Sequence, residues 1–287
     1  MFEFEVDGQG IDFGLCVSTG QVFRWREVEP GVWEGAIGGG WWRVSIPQTH
    51  SPSSFLRVQS NQEVDEFVQV FGVDRDDEAW FAGVLGGDPA LGEAVRACRG
   101  LRLIRQDDPV EVLFSFLCSA NNHVKRIEGM VGCLAEFGEG YAFPSLEVLA
   151  EVEGQYLRER GFGYRAERIP VCAAQVLELG GLNWLNDLKG SSSGEAVLEL
   201  QKLPGVGPKV AECVALFGLG HGNVVPIDTH IWNAVRRRYF PDLAGGSLTL
   251  GHRRMVGDFM RDRFEGDAGL AHLVLFVDEM RNWRSRR

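Results

Sequence analysis

The sequence predicts an α+β fold in which an N-terminal antiparallel β-sheet region is followed by a larger, all-helical region. Two observations along the 287-residue chain carry this prediction. Up to about residue 75, short aromatic and β-branched runs separated by glycines have the pattern of strands and turns. From residue 76 onward, apolar residues recur with the helical period. We expect the boundary near residue 105, which gives an N-terminal α+β domain at 1–105 and a helical domain at 106–287.

Three segments of the N-terminal region have strand patterns. FEFEV at 2–6 alternates apolar and acidic residues, GVWEGAIGGGWWRVSI at 31–46 gives two short runs around glycines, and FLRV at 55–58 gives another. Short runs of this kind, separated by turn residues, form antiparallel sheets. We therefore predict strands and turns throughout residues 1–75.

The remainder of the chain is predicted as a series of helices at short spacing. Asp108 followed by Pro109 is a good helix start, because Asp caps the free N–H groups and Pro suits the first turn. GSSSG at 190–194 is predicted as a loop, since it is too short for a domain linker. The predicted helical segments are DDEAWFAGVL at 76–85, PALGEAVRAC at 89–98, DPVEVLFSFLCSANNHVKRIEGMVGCLAEF at 108–137, LEVLAEV at 146–152, RAERIPVCAAQVLEL at 165–179 and GEAVLELQK at 194–202.

Composition excludes several classes of protein. The six cysteines are all more than ten residues apart, so neither a zinc ribbon nor a C-x-x-C redox site is expected, and we predict buried free thiols in a reducing compartment. The acidic start lacks the pattern of a secretory signal, and no apolar run approaches the ~18 residues of a membrane span. The sequence thus predicts a cytoplasmic or nucleoid protein without a cofactor.

The net charge of −11 argues at first against a nucleic-acid partner. Its distribution weakens that objection. Residues 1–100 hold 7 Arg and no Lys against 16 acidic residues, whereas residues 101–287 hold 22 basic against 24 acidic residues. The larger region can therefore present a local basic face. A protein of this kind would rely on backbone N–H groups and a few arginines, with a modest dependence of affinity on salt.

A glycine-rich turn between two predicted helices is the most specific motif. In LPGVGPK at 203–209, Gly205 and Gly207 allow backbone conformations and close approaches that other residues resist, so free N–H groups can face a phosphate. Pro208 suits the first position of the second helix. The functional interpretation is a phosphate clamp within a helical hairpin at 195–220, with a possible monovalent cation on the turn carbonyls of 203–207. The alternative is an ordinary αα-hairpin.

Lys209 and Asp228 are the candidate catalytic residues. Lys209 falls in the first turn of the second hairpin helix, where the positive helix end and burial both disfavour an ammonium ion. A neutral amine there can attack an electrophilic carbon. Asp228 opens the next helix in VPIDTHIW, where it can cap the helix and also handle protons. The alternatives are an exposed or phosphate-binding lysine and a capping aspartate with no catalytic role.

These residues resemble the signature of the helix-hairpin-helix DNA glycosylase superfamily. Other segments are similar to its 8-oxoguanine DNA glycosylase branch, in the same order along nearly the whole chain. They are STGQVFRW at 18–25, GLRLIRQDDPVEVLFSFLCSANNHVKRI at 100–127, GFGYRAERI at 161–169 and GLAHLVLF at 269–276. The resemblance implies a bifunctional DNA glycosylase and AP lyase that flips a damaged base out of double-stranded DNA, acts as a monomer and uses no cofactor.

The resemblance also implies a role for each matching residue. Lys209 is similar to the Schiff-base nucleophile and Asp228 to its catalytic carboxylate. Gly20 is similar to the glycine whose carbonyl recognises the N7 proton of oxidised guanine. By the same resemblance, Cys213 and Phe276 sandwich the extruded base, and Asn121 fills the gap that the base leaves in the duplex. Tyr164 wedges the opposite strand, and Arg126 and Arg165 recognise the orphaned cytosine. His230 contacts a phosphate.

Elementary chemistry agrees in kind with these roles. A base within a duplex must be flipped out before its sugar can be attacked. Arginine can form two parallel hydrogen bonds with an unpaired cytosine, and an exposed Tyr164 suits stacking. The ordinary alternatives are that Asn121 ends a helix, Tyr164 is a turn aromatic and Phe276 belongs to the core.

The chain departs from the family pattern at two positions. His123 stands where the family has a third asparagine, and His272 occupies the position of the base-recognising glutamine. An imidazole does not reproduce the paired donor and acceptor of glutamine, so the reaction type is better defined than the base. Two other functions stay open: removal of alkylated or other damaged bases with water as the nucleophile, and non-catalytic binding of damaged DNA.

Overall fold

The computed structural model describes residues 1–8, 10–46, 55–75, 78–243 and 246–285. Within these ranges, an antiparallel sheet of five strands has the order β1-β5-β4-β3-β2. Phe2 pairs with Ser60, and Val32 pairs with Ser45. The strands are β1 (Phe2–Asp7), β2 (Trp25–Glu29), β3 (Val32–Ile37), β4 (Gly40–Ser45) and β5 (Phe55–Ser60). The predicted strands and the antiparallel arrangement are confirmed, and β2 is a strand that the sequence patterns did not predict.

Two helices pack on this sheet where only strands and turns were predicted. They are α1 (Phe13–Ser18) and α2 (Val64–Phe71). Each is short, and each buries residues at helical spacing. So few residues among strand-like runs give only a weak helical pattern, and both helices were therefore missed. Phe67 and Phe71 of α2 lie 4.7 Å apart between ring centroids, and Phe13 of α1 lies 5.0 Å from Phe71. These rings cover the buried Trp42 of β4. The prediction for residues 1–75 was therefore incomplete.

The rest of the described chain is helical apart from its connections. Asp76 and Asp77, the first two residues of the predicted segment 76–85, lie outside the described residues. The helices are α3 (Glu78–Gly87), α4 (Pro89–Ala97), α5 (Pro109–Ser119), α6 (Val124–Ala135), α7 (Leu146–Glu151), α8 (Gly154–Glu159), α9 (Arg165–Glu178), α10 (Gly181–Gly190), α11 (Ser193–Leu200), α12 (Pro208–Phe217), α13 (Thr229–Tyr239), α14 (Leu250–Phe264) and α15 (Ala268–Ser285).

Two predicted boundaries in the helical region were wrong. The segment at 108–137 is broken into α5 and α6, because Asn121 adopts a φ of 51° that no helix accommodates. The loop predicted at 190–194 is shorter, because Gly190 ends α10 and Ser192 caps α11 through a capping box with Glu195. Only residues 191 and 192 lie outside helices there. The two glycines flanking the serines suggested a longer loop than the caps permit.

Helix α5 is the centre of the helical region. Its residues from Pro109 to Cys118 are all buried, as expected for a helix that is apolar on every side. Asp108 caps it by accepting hydrogen bonds from the N–H groups of Val110 and Glu111 at 2.9 and 3.1 Å, and Pro109 occupies the first turn. The predicted helix start is thus confirmed. This helix places Phe116 against the hairpin that carries the candidate nucleophile.

A buried ion pair joins the two regions. Arg24, which precedes β2, donates to Glu111 of α5 at 2.8 and 2.6 Å, and both side chains are almost completely buried. A third N–H of Arg24 donates to the carbonyl of Tyr141 at 2.9 Å. The pair fixes the N-terminal segment on the central helix. The domain boundary near residue 105 stays a prediction. No helix in the described ranges is long and apolar enough to cross a membrane.

Candidate active site

The predicted helical hairpin is formed by α11, a turn and α12. Gly205 adopts a φ of 84°. A Cβ there would lie 2.9 Å from Arg168 and 3.1 Å from Leu117, so the position requires glycine twice over. Gly207 is the N-cap of α12, with an ordinary φ of −84° and open space where a Cβ would lie. Only Gly205 therefore needs the positive φ, while Gly207 leaves room for another molecule to approach the backbone.

The turn presents free hydrogen-bond donors at a helix N-terminus. Its internal bonds use the N–H groups of Lys202, Leu203 and Val206. Within the described residues, the N–H groups of Gly205 and Gly207 find no acceptor. Free N–H groups at a positive helix end suit a phosphate. The monovalent cation predicted on the carbonyls of 203–207 stays a prediction.

Lys209 is the second residue of α12, in the first turn as the sequence predicts. Its side chain is half-buried, and its Nζ lies 5.5 Å from the centroid of the Phe116 ring. The lysine is close enough to Glu212 and Cys213 for its charge to act on both. The amine thus lies at the edge of the core, at the positive end of a helix and beside a carboxylate.

Asp228 is the N-cap of α13, and this cap uses only one carboxylate oxygen. Oδ1 accepts hydrogen bonds from the N–H groups of His230 and Ile231, both at 2.9 Å. Oδ2 accepts none from the residues that the structure describes. The capping and catalytic interpretations are therefore compatible, because the cap holds the group rigidly and leaves one oxygen available. His230 itself is exposed at the second position of α13.

Cys213 and His272 are two buried side chains beside this pair, and both are neutral. Burial raises the pKa of Cys213 to about 11. Burial also lowers the pKa of His272 to about 4, so its ring is neutral near pH 7. The backbone of Pro226 lies beside the ring, and the charges of Asp228 and Lys209 act on it. Its Nδ1 is buried and has no partner among the described residues.

Phe276 lies one turn beyond His272 on α15. The two ring centroids are 6.3 Å apart and the planes are nearly parallel, at 20°. Phe276 is half-buried and packs against the core. The structure therefore brings Lys209 and Asp228 together with Cys213 and His272, and Phe276 adjoins this group through His272.

Gly20 belongs to a loop that is held from the N-terminal side. It adopts a φ of 79°, and a Cβ there would lie 3.9 Å from Phe23. The next residue, Gln21, is fully buried and donates to the carbonyls of Cys16 and Arg102. Its Oε1 accepts the N–H of Ile104 at 2.9 Å. This network leaves the loop little freedom to move.

Two aromatic rings link the Gly20 loop to the candidate nucleophile. Phe23 packs edge-on against Phe116, with ring centroids 5.6 Å apart. Phe116 in turn lies beneath the Nζ of Lys209. Gly20 and Lys209 thus approach the same part of the molecule from the two regions, although they are 189 positions apart in the sequence.

The second group of predicted residues gathers around the carbonyl of Ala120. Tyr164 donates to it through Oη at 3.1 Å, and Arg165 donates to it through Nη2. Asn121, the next residue, is exposed in the left-handed conformation. Tyr164 is 48% exposed, as its proposed stacking role requires. Arg126 is exposed as well and donates to the carbonyl of Gly161 at 2.7 Å.

Arg165 is placed differently from what the resemblance implied, and His123 has a structural role. Arg165 is buried beneath Tyr164 and its Nε has no partner among the described residues, so in this conformation it is not presented to a base. His123 caps α6, where its Nδ1 accepts the N–H of Arg126 at 3.4 Å. The first departure from the family pattern therefore serves as a helix cap, a role that asparagine also fills.

Arg168 connects the two groups. Its guanidinium lies over the Tyr164 ring, 4.7 Å from the centroid, and its stem contacts Gly205 of the hairpin. The exposed arginine forms no salt bridge to any residue that the structure describes. Tyr164 and the hairpin turn are therefore both adjacent to the same arginine side chain.

Several structurally important residues were missed by sequence reasoning. Gln21 and Arg24 are polar residues inside an apolar run, which is a signal for buried partners that could have been used. Glu212 gives the same signal within the apolar helix α12. Arg253, which pairs with Glu212 at 2.5 Å, lies 41 residues away and carries no local signal.

The fold and the hairpin site define a class of DNA repair protein. Residues 114–244 match the family model of the HhH-GPD superfamily base excision DNA repair proteins. Residues 4–113 match the N-terminal domain of 8-oxoguanine DNA glycosylase. The chain therefore belongs to the 8-oxoguanine DNA glycosylase family, and it is a DNA glycosylase and lyase.

Relatives of known name agree with this assignment. The chain is 36% identical to the N-glycosylase/DNA lyase OGG1 of Arabidopsis thaliana, over 93% of this chain and 76% of the relative. It is 30% identical to the N-glycosylase/DNA lyase of Saccharomyces cerevisiae, over 78% of this chain and 68% of the relative. The resemblance inferred from the motifs is thus confirmed over most of the chain.

Solved structures show the same fold bound to DNA. MBOgg1 in complex with a low-affinity DNA ligand has a TM-score of 0.84 at 28% identity, covering 98% of this chain and 96% of that chain. The 8-oxoguanine glycosylase/lyase of Clostridium acetobutylicum, in complex with double-stranded DNA containing cytosine opposite 8-oxoguanine, has a TM-score of 0.81 at 26% identity and covers 98% of both chains. The predicted fold class and DNA partner are confirmed.

Proposed function

We propose that this protein excises 8-oxoguanine opposite cytosine from double-stranded DNA, as a monomer without a cofactor, and then cleaves the strand. The observation that carries the proposal is that Lys209 and Asp228 share the same buried neighbours, Cys213 and His272, on which the charges of both act. An amine in this position distinguishes a lyase from an enzyme that activates water. The Clostridium complex, in which the duplex contains cytosine opposite 8-oxoguanine, supports the choice of substrate.

Recognition begins with extrusion of the damaged nucleotide. Asn121 enters the gap in the duplex, where a short amide can hydrogen-bond the neighbouring bases, and Tyr164 stacks on the opposite strand. The shared carbonyl of Ala120 keeps these two residues adjacent. The N–H groups of Gly205 and Gly207, with His230, bind phosphates flanking the lesion. Flipping costs a few kcal/mol, which these contacts offset.

The extruded base enters a pocket between Gly20, Cys213, His272 and Phe276. The carbonyl of Gly20 accepts a hydrogen bond from the N7 proton, which oxidised guanine carries and guanine lacks. Cys213 and Phe276 contact the two faces of the base. Because the Gln21 network restrains the loop, the Gly20 carbonyl is held in place for this discrimination.

The chemical step uses Lys209 and Asp228. The amine of Lys209 attacks C1′ after it has lost a proton, the C1′–N9 bond breaks, and the electron pair leaves with the base, which takes up a proton. The free oxygen of Asp228 stabilises the positive charge that develops on the sugar and accepts a proton from the attacking amine. Opening of the sugar gives an imine, which acidifies the C2′ proton. Loss of that proton expels the 3′ phosphate and cleaves the strand.

One trapping experiment tests the proposal against its alternatives. The protein is incubated with an 8-oxoguanine:cytosine duplex and borohydride, and a covalent protein–DNA adduct is expected, since borohydride reduces the imine. Base release without an adduct would indicate water as the nucleophile. Absence of release from 8-oxoguanine and from alkylated duplexes would leave only a DNA-binding role.

Arg126 is expected to confer the preference for cytosine. A two-bond contact with a base edge contributes about 1–3 kcal/mol of discrimination. Arg126→Ala should therefore bring the excision rates opposite cytosine, thymine, adenine and guanine close together. Arg165→Ala should act in the same direction, provided that Arg165 exchanges its bond to Ala120 for the cytosine. Single-turnover rates on the four duplexes measure the effect.

Lys125 offers a matched control for this prediction. It is exposed on the same turn of α6. Lys125→Ala removes a neighbouring positive charge and should weaken the binding of all four duplexes to the same extent. Unchanged discrimination in Arg126→Ala would refute the assignment.

His272 is expected to recognise the flipped base through its unpartnered Nδ1. When the neutral ring carries its proton on Nε2, this buried nitrogen can accept a hydrogen bond from a donor such as N1–H of the base. His272→Phe keeps an aromatic ring without nitrogen and should lower the single-turnover excision rate about tenfold, since one hydrogen bond is worth roughly 1–1.5 kcal/mol. His272→Gln, which restores an acceptor, should stay within about twofold. Full activity in His272→Phe would contradict this role.

A further inference from the structure

One peptide group next to the candidate catalytic carboxylate is held from both sides. The N–H of Ile227 donates to Oε2 of Glu212 at 3.0 Å, and the carbonyl of Ile227 accepts from Nη1 of Arg253. Nη2 of Arg253 donates to the same Glu212 oxygen at 2.5 Å. These three contacts form a closed arrangement, which we call the Ile227 clamp, made of Glu212, Ile227 and Arg253.

The clamp joins three segments at the point where their relative position matters. Glu212 lies three residues after Lys209 on α12, so both side chains belong to adjacent turns of one helix. Ile227 directly precedes Asp228. Arg253 comes from α14 and bonds both of the other members. A shift of α12 relative to the segment at 225–228 would therefore break the clamp and change the separation of Lys209 and Asp228.

The clamp is better suited to holding the backbone at Ile227 in position than to increasing the stability of the fold. Its side chains are mostly buried, with Glu212 17% and Arg253 15% exposed. A pair of charges removed from water adds little net stability, because desolvation offsets the attraction. Burial raises the pKa of Glu212, and the charge of Arg253 and the Ile227 N–H oppose that rise. The two side chains do, however, complement one residue: Glu212 accepts from the N–H of Ile227, and Arg253 donates to its carbonyl.

We propose that Glu212 and Arg253 are positioning residues that set the distance between Lys209 and Asp228. The inference rests on the proposed function, in which these two groups act together. Neither member of the pair needs to touch DNA. Loss of the clamp should therefore slow the chemical step and leave duplex binding unchanged. If the ion pair were purely structural, its loss would instead lower the melting temperature without a selective effect on catalysis.

Glu212→Gln is the first test, with Glu34→Gln as its matched control. Glu34 pairs with Arg43 at 2.5 Å in the sheet, and its side chain is 19% exposed, so the chemical change and the environment are similar. We expect Glu212→Gln to lower the single-turnover excision rate on an 8-oxoguanine:cytosine duplex by tenfold or more, where tenfold corresponds to about 1.4 kcal/mol. Its Kd for a duplex with an uncleavable abasic-site analogue should stay within about twofold.

The control separates positioning from general destabilisation. Glu34→Gln should lower the melting temperature by a comparable amount and leave both the excision rate and the Kd unchanged. An equal loss of rate in the two variants would overturn the proposal. So would a Glu212→Gln protein that excises the base as fast as the parent protein.

A charge-swapped double variant gives the sharper test. Glu212→Arg with Arg253→Glu restores the ion pair, but it places a donor opposite the Ile227 N–H and an acceptor opposite its carbonyl. We expect the double variant to regain much of the melting temperature lost in Glu212→Ala, without regaining the excision rate. Recovery of both would show that the ion pair alone matters and would overturn the proposal. If the double variant fails to fold, the two Glu→Gln variants decide the question.

The parent protein distinguishes this inference from the function on which it rests. If the parent forms no borohydride adduct and releases no base, the proposed function fails. If the parent is active and Glu212→Gln is equally active, only the positioning role fails.

Discussion

Lys209→Gln is expected to abolish the borohydride adduct and to lower base excision by at least about 10³-fold, the scale at which loss of a catalytic nucleophile acts. Glutamine has nearly the same length but no nucleophilic nitrogen, so the sugar is no longer attacked at C1′. The proposed phosphate clamp consists of backbone groups of Gly205 and Gly207, which the change leaves in place. Duplex binding should therefore persist. Adduct formation, single-turnover excision and the Kd for an uncleavable duplex measure the three effects.

Lys202→Gln serves as the control for this prediction. Lys202 belongs to the same hairpin turn and is exposed, where it pairs with Glu199 at 2.6 Å. Its replacement removes one positive charge from the hairpin. Any fall in the excision rate should be explained by weaker binding of the duplex alone. If Lys209→Gln still formed the adduct, another amine would be the nucleophile. If it released the base at the parent rate without an adduct, water would be the nucleophile.

Local chemistry explains why the hairpin was predictable. Gly205, Pro208 and Asp228 each indicate a backbone requirement in the sequence: a positive φ, the first position of a helix and an N-cap. The structure places all three as expected. Asp108 and Pro109 indicate the start of α5 in the same way. Such signals depend on residues a few positions apart, so a single sequence contains them.

Contacts between distant segments were not predictable in this way. Arg253 and Glu212 are 41 residues apart, and neither pattern nor spacing connects them. Arg24 and Glu111 are 87 residues apart. Arg165 is buried where it donates to the carbonyl of Ala120, and these two residues are 45 positions apart. These contacts form only when distant segments pack together, so no local sequence pattern indicates them.

The histidine at position 272 shows how structure changes the meaning of a sequence departure. From the sequence, an imidazole in place of glutamine weakened the prediction of base specificity. In the folded protein, burial favours the neutral form of the ring, and its buried Nδ1 has no partner among the described residues. A residue with two protonation states is thereby limited to the neutral one, and one of its nitrogens is free to bond a base. The departure from glutamine therefore still supplies an unpartnered hydrogen-bonding nitrogen beside the candidate nucleophile.

Asp228→Asn is expected to separate the catalytic role of this residue from its role as a helix cap. Asparagine is as good an N-cap as aspartate, so α13 should begin where it does now and the melting temperature should change little. The amide carries no charge and accepts no proton, so the excision rate should fall by about 10²–10⁴-fold, the range attributed to a positioned acid or base. Asp228→Ala should show the same loss of rate together with a loss of about 0.5–2 kcal/mol in the free energy of unfolding.

Asp108→Asn tests whether this pattern is specific to position 228. Asp108 caps α5 through the same two bonds, from the N–H groups two and three residues ahead, but it belongs to the start of the central helix and not to the hairpin site. The change should leave both the unfolding free energy and the excision rate close to those of the parent. Single-turnover excision and thermal unfolding of all three variants give the comparison. A parent-like rate in Asp228→Asn would reduce Asp228 to a cap and would require another group to stabilise the charge on the sugar, for which the buried, neutral His272 is poorly suited because burial holds its pKa at about 4.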